Sequence, residues 1–275
     1  MKKSISRSVR FAAREFADEL AKRAPAPAMV DGPPEPVRID VLDVVKQLSS
    51  SPGNQALIHF FTWNHRWISQ LSERNHRAAV SMYDFIDDEM SEALFTVNQF
   101  EVIRSKRDEM MELGGQILDL GVYKGGSTRA LAKTFPESHI HGFDSFEGLP
   151  EDWAHVVKGS FGDIAGVLPD MPANVTLYKG WFDETLPVWI KDHGETPISI
   201  LRVDCDIYSS TKTIFDVLEP VIQAGTWIVF DELIGLRGWE QHEYKAFMEF
   251  IERTGFNYEY IAYGLSYTIV RLSEP

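Results

Sequence analysis

Beyond Gly114 the chain alternates short apolar runs with helical stretches, and this alternation constrains the fold more than any other feature. The runs are QILDL, HIHGF, NVTLY, ISILRV and TWIVF, followed by NYEYIA and SYTIVRL. Candidate helices such as STRALAKTF and STKTIFDVLEP lie between the first five. Strand and helix in alternation predict an α/β fold, a doubly wound and mainly parallel sheet. Only YGL separates the last two runs, too short for the crossover of a parallel pair. They are expected to form a hairpin and to give the sheet an antiparallel edge.

The 275 residues suffice for one large domain with an appendage. Val9, Phe11, Phe16 and Leu20 fall on roughly one face of an N-terminal helix, which PAPAMVDGPPEP then breaks. Three regions are expected: residues 1–36, a helix and Pro-rich linker that docks on a cap or another subunit; residues 37–112, a helical cap; and residues 113–275, the sheet domain. FFTWNHRW, Phe60 to Trp67, reads as helix core. No apolar run approaches the ~20 residues of a membrane helix. The acids Glu15, Asp18 and Glu19 speak against a transit peptide. A cytoplasmic protein, a homo-oligomer without a membrane partner, is the expectation. One cysteine, Cys205, excludes an internal disulfide framework and a cysteine-based zinc site. The net charge of −14 disfavours nucleic acid as a partner.

GVYKGGST follows the first strand of the sheet domain. In such sheets ligands bind beyond the carboxyl ends of the strands. Gly121 would admit a close backbone approach, Gly125 and Gly126 would let the chain pass into a helix, and Ser127 and Thr128 are candidate caps. The spacing G-x-x-x-G-G is not the G-x-G-x-x-G of a dinucleotide site. Asp119, just before it, would repel a pyrophosphate but suits a cationic amino group. Asp144 lies roughly 20 residues past the first glycine, the offset of a ribose-binding acid. Together these features predict S-adenosylmethionine, an adenosine with an aminoacyl tail.

Four acids should gather at the same sheet edge. Asp204 and Asp206 end the ISILRV strand, and Asp231 and Glu232 end TWIVF. Packed carboxylates repel unless something positive lies among them. An all-oxygen ligand set suits a hard cation, magnesium above all. Such a cation would lower the pKa of a hydroxyl and fix its oxygen for transfer, and a nearby carboxylate would take the proton. His242, at the start of a later helix, is a second candidate base.

The segments DLGVYKGGST, FDSFEGLP, KGWFDETLP, RVDCDIYSST and FDE occur in this order, over roughly Gly114 to Phe250. In this they resemble the macrocin O-methyltransferase family, which includes enzymes that methylate sugar hydroxyls of macrolides and aminocoumarins. The resemblance implies a seven-stranded class I methyltransferase sheet with an antiparallel last strand. It places the cofactor's methionine tail on Asp119, Gly121 and the turn beyond (Val122, Tyr123, Gly125, Gly126 and Ser127), with Asp204 close by. It places the ribose on Asp144 and the adenine beside Ser145, Phe146, Gly180, Trp181 and Phe182. It implies magnesium held by Asp206 or Asp204, Asp231 and Glu232. The sugar enzymes of the family have Asp-Asp where this chain has Asp231-Glu232, one methylene longer. Asp204 and Asp206 each stand as candidate ligand and candidate base.

Three functions compete. The first is a magnesium-assisted O-methyltransferase acting on a small-molecule hydroxyl of a sugar or glycosylated compound, with S-adenosylhomocysteine as product. The second is a metal-independent methyltransferase of the same fold, with an oxygen or nitrogen acceptor and His242 or Asp206 as base. The third is a cofactor-binding domain without turnover, against which the acid cluster argues, because binding alone does not need it.

Overall fold

The computed structural model describes residues 73–153 and 156–275, with side chains from residue 78. They fall in one compact unit. The expected N-terminal helix, the Pro-rich linker, Phe60–Trp67 and the cap as far as residue 72 lie outside the described residues.

Helix α1 (Glu73–Glu89), the two-residue strand β1 (Leu94–Phe95) and helices α2 (Gln99–Ser105) and α3 (Arg107–Met110) come first. The alternating part follows as β2 (Gln116–Leu120), α4 (Gly126–Thr134), β3 (Ile140–Asp144), β4 (Val175–Lys179), α5 (Phe182–His193) and β5 (Ile198–Val203). It continues through α6 (Tyr208–Leu218), β6 (Trp227–Phe230), α7 (Glu243–Thr254), β7 (Asn257–Tyr263) and β8 (Thr268–Ser273). The strands form one sheet in the order β1-β7-β8-β6-β5-β2-β3-β4.

The seven expected strands are all present, and β1 adds an eighth by pairing in parallel with β7. The hairpin of β7 and β8 forms as expected. Its place differs from the expectation, because β8 inserts between β6 and β7 and the reversed strand lies inside the sheet. An interior place gives β8 two ladders instead of one and fully buries Thr268, Ile269 and Val270. The edges are β1 and β4.

Successive residues of a strand point to opposite faces, and the core divides accordingly. Leu118, Leu120, Leu201, Val203, Ile228 and Phe230 pack on one side with Phe215, Phe247 and Phe250 of α6 and α7. Ile117, Ile200, Trp227 and Val229 pack on the other with Ile103, Met110 and Leu131 of α2, α3 and α4. With helices on both faces, β5 and β6 are buried along their whole length, which explains their nearly continuous apolar composition. Among the described residues no helix is long and apolar enough to cross a membrane.

A histidine cluster lies between the sheet and α5. His141 on β3 is 4% exposed and hydrogen-bonded through Nδ1 to the Tyr178 hydroxyl at 3.1 Å and through Nε2 to Gln116 Oε1 at 3.0 Å. The rings of His139 and His193 lie 5.0 and 4.9 Å from it, centroid to centroid. Burial, then the neighbouring charges on His193 and His139, push His141 down to about 4. The unfolded chain therefore takes up a proton near the ordinary histidine value of 6.5, and the folded chain does so only near 4. Stability contributed by neutral His141 is complete above pH 6.5 and declines as the pH falls toward 4, by about 3 kcal/mol in all. Chemical denaturation between pH 4 and 7 checks this, and His141→Phe is expected to flatten that part of the profile.

Candidate active site

The carboxyl ends of β2, β3, β5 and β6 meet at one edge, on both sides of the point where the strand order reverses between β2 and β5. Among the described residues five that are not glycine have left-handed backbones, namely Tyr123, Phe146, Phe161, Ala165 and Asp206. All lie in loops leaving β2, β3 or β5. Such conformations cost about 1–3 kcal/mol and concentrate at binding and catalytic sites.

The turn from β2 into α4 is pinned by Asp144. Its Oδ2 accepts the backbone N–H of Val122 at 2.8 Å and of Tyr123 at 2.7 Å, and its Oδ1 accepts that of Phe146 at 2.6 Å. A carboxylate offers about four acceptor sites, so Oδ1 retains one for a further donor. Gly121 is required for a different reason than expected, since a Cβ there would strike the backbone carbonyl of Asp204. Its close approach is to the end of β5. Gly125, with φ of 76°, is itself the N-cap of α4. Ser127 and Thr128 lie inside α4 and do not cap it, and Thr128 Oγ1 donates to Asp119 Oδ2 at 2.6 Å. Gly126 opens α4 and has free space where a side chain would stand.

Asp119, expected beside the cofactor's amino group, is fully buried, with Oδ2 on Thr128 and Oδ1 on Arg202 Nη1 at 3.0 Å. Burial raises its pKa against the pull of Arg202. Arg202 lies opposite Asp119 in the β2–β5 register. It is 1% exposed, and its Nη2 donates to Asp204 Oδ2 at 2.8 Å and to Asp231 Oδ1 at 2.6 Å. One guanidinium thus joins the glycine turn to the acids of β5 and β6. Sequence reasoning missed it, although a lone charge in ISILRV was the available signal.

The acids gather as expected, but not all four together. Asp204, Asp206 and Glu232 each bring one oxygen within 4.8 Å of the others. Asp231 turns instead to Arg202 and Gln99. Burial pushes Asp231 up, but Arg202, Gln99 and Glu232 outweigh it and hold it below the ordinary carboxylate value. Burial, and after it the charge on Asp231, pushes Asp206 up to about 7. Glu232 is driven well above its ordinary value by burial, then by Asp231, Asp204 and Asp206. Glu243, the first residue of α7, is fully buried beside them, and its Oε2 accepts the Glu232 N–H at 3.3 Å. His242 instead meets the edge of Trp153, ring centroids 6.5 Å apart, and burial lowers its pKa.

The expected adenine residues divide. Phe146 is buried, 1% exposed. Ser145 Oγ accepts the Glu147 N–H at 3.1 Å. Gly180 N–H donates to the Asp144 carbonyl at 3.0 Å, which ties the end of β4 to that of β3. Trp181 is half-buried at the start of α5, whereas Phe182 packs on the core. The segment between β3 and β4 reaches back over the glycine turn. Its Asp163 accepts the Tyr123 hydroxyl at 2.6 Å and pairs with Lys124 at 2.7 Å. Leu149, Trp153 and Val156 of the same segment pack against Ile207 and Leu236 on the acid side.

A mainly parallel doubly wound sheet whose last strand alone is reversed is the class I methyltransferase fold. Residues 118–233 match the family profile described as a methyltransferase domain. Among curated proteins, the chain is 28% identical over 141 residues to the 8-demethyl-8-(2,3-dimethoxy-alpha-L-rhamnosyl)-tetracenomycin-C 4'-O-methyltransferase of Streptomyces olivaceus. That alignment takes in 43% of this chain and 52% of the relative, so the chain spans about half the length of the curated relative it matches. Among solved structures, the crystal structure of CalS11, a calicheamicin methyltransferase, is similar with a TM-score of 0.52 at 17% identity. The likeness covers 90% of this chain and 99% of that one. The resemblance read from the motifs is upheld: residues 118–233 are similar to a methyltransferase domain, and part of the chain is similar to a sugar O-methyltransferase.

Proposed function

We propose that this chain is a cation-assisted, S-adenosylmethionine-dependent O-methyltransferase acting on a hydroxyl of a sugar or glycosylated small molecule. The observation that carries the reading is the crowding of buried carboxyl groups beside the glycine turn. Arg202 pairs with Asp119, Asp204 and Asp231, while Asp206, Glu232 and Glu243 have no cation bonded to them among the described residues. Oxygen-only donors of this kind fit magnesium. Bound S-adenosylmethionine supplies an electrophilic methyl group, and a bound divalent cation supplies the charge that makes a hydroxyl acidic.

The chain's own residues divide the remaining work. Asp144 holds the turn on which the cofactor rests and offers its free Oδ1 site to a ribose hydroxyl. Asp204, Asp206 and Glu232 would hold the cation. The choice of base remains within the same group. Without a cation Asp206 is pushed up to about 7, close to the working pH that a proton acceptor needs, whereas His242 lies against Trp153. That observation favours the metal-independent reading, with Asp206 as base in preference to His242.

Asp144→Ala is expected to weaken S-adenosylmethionine binding by about 1.5–3 kcal/mol, the worth of hydrogen bonds to a charged group. That is roughly ten- to a hundredfold in Kd. Titration calorimetry of parent and variant measures it, and equal affinities would remove Asp144 from the cofactor site. The function itself is tested by screening hydroxyl-bearing glycosides for methyl transfer with magnesium present and absent.

A further inference from the structure

We propose that Asp163 is a positioning residue for the cofactor, acting through Tyr123 from the segment between β3 and β4. The inference rests on the reading of the glycine turn as the S-adenosylmethionine site and extends it to a residue 40 positions away. Two observations carry it. The first is that the segment between β3 and β4 meets the glycine turn and the start of α4 at three points. Asp163 Oδ1 accepts the Tyr123 hydroxyl at 2.6 Å, and its Oδ2 accepts from Lys124 Nζ at 2.7 Å. Arg129 of α4 donates through Nη1 to the Asp170 carbonyl at 3.1 Å and through Nη2 to the Lys124 carbonyl at 2.7 Å. Met171 fills the space that a side chain at Gly125 would need. The second observation is that Tyr123 joins this contact to Asp144. Its backbone N–H is held by Asp144 Oδ2 at 2.7 Å, and its φ is 49°.

A left-handed backbone is unfavourable for a residue with a side chain and persists only where its surroundings hold it. Tyr123 is held from both sides: Asp144 fixes its main chain and Asp163 its phenol. The Phe161 ring meets the Tyr123 ring edge to face, centroids 5.6 Å apart, and Lys124 Nζ lies 4.7 Å from the centre of the same ring. Lys124, and after it Tyr123, holds the Asp163 carboxyl below its ordinary value, so the contact is charged throughout the neutral range. The side chains of Asp163 and Lys124 are 58% and 56% exposed. A pair so exposed adds little to folding. Its effect therefore falls on the turn. Without Asp163, Tyr123 is free to leave the left-handed region and to withdraw one of the N–H groups that orient Asp144. Asp144 then presents its remaining Oδ1 site less well to a ribose hydroxyl.

The test is calorimetric titration of S-adenosylmethionine into the full chain and its Asp163→Ala, Tyr123→Phe and doubly substituted variants, with urea unfolding of each. Either single substitution is expected to raise Kd about three- to tenfold. The double variant should bind no more weakly than Asp163→Ala alone, because both changes remove the same bond. Asp163→Asn should recover part of the loss, since its amide oxygen still accepts the tyrosine hydroxyl. The urea midpoints should match the parent's. Equal Kd of Asp163→Ala and parent would overturn the role, as would effects that multiply in the double variant. A fall in the midpoint of Asp163→Ala would also overturn it, by making the residue structural. A parent that does not bind S-adenosylmethionine would overturn the cofactor reading and this role with it.

Discussion

Arg202→Met is expected to destabilise the sheet domain by about 3–5 kcal/mol, the cost of breaking a buried ion pair from one side. The reason is the number of charges that depend on this one cation. Asp119, Asp204 and Asp231 all bond to the guanidinium, and Asp119 is fully buried. Methionine fills much of the same volume, so the loss measures charge more than packing. Without Arg202, Asp119 keeps only Thr128, and the carboxylates of β5 and β6 face one another directly. Arg202→Lys should recover part of the loss, because an ammonium keeps the charge but cannot span the same acceptors with a fixed fork. Urea unfolding of the three proteins gives the comparison. If Arg202→Met unfolds at the parent's midpoint, the guanidinium is not the cation that the acids depend on.

The second large effect concerns the cation. Exhaustive EDTA treatment is expected to lower methyl transfer by about a hundredfold or more, corresponding to the several kcal/mol of charge stabilisation that a metal supplies. Cofactor affinity should stay nearly unchanged, because the sulfonium of S-adenosylmethionine already carries a positive charge. The acceptor hydroxyl is the group in need, since almost none of an alcohol is ionised near neutral pH. Asp206→Asn should act in the same direction, as it keeps the shape and loses both a ligand charge and the strongest candidate base. Full activity in EDTA would leave the metal-independent reading with Asp206 in possession of the site.

The elements that depend on period and on turn chemistry were legible in the sequence. The apolar runs of β2 to β6 declared a doubly covered parallel sheet, and YGL declared the hairpin. The place of β8 was not legible, because strand order depends on which ladders can be satisfied, and a run such as SYTIVRL carries no mark of its neighbour. At the site, residue types and their nearness to strand ends put the acids at one edge. Their pairing could not be read, because it depends on side-chain direction across strands. Asp119 and Arg202 are 83 positions apart and become partners only through the β2–β5 register. The need for a positive charge was legible from the acids alone. That Arg202 meets part of that need, and that Glu243 adds to it, became visible only when burial and partners were known.

The proposed site has two halves: the glycine turn holds S-adenosylmethionine, and the cation serves the acceptor. Titration calorimetry of S-adenosylmethionine into the protein, once with magnesium and once with EDTA, tests both halves together. A saturable binding isotherm with nearly the same Kd in the two buffers is expected, and no heat of binding when NAD replaces the cofactor. Absence of binding to S-adenosylmethionine, or binding that disappears with EDTA, would contradict this assignment.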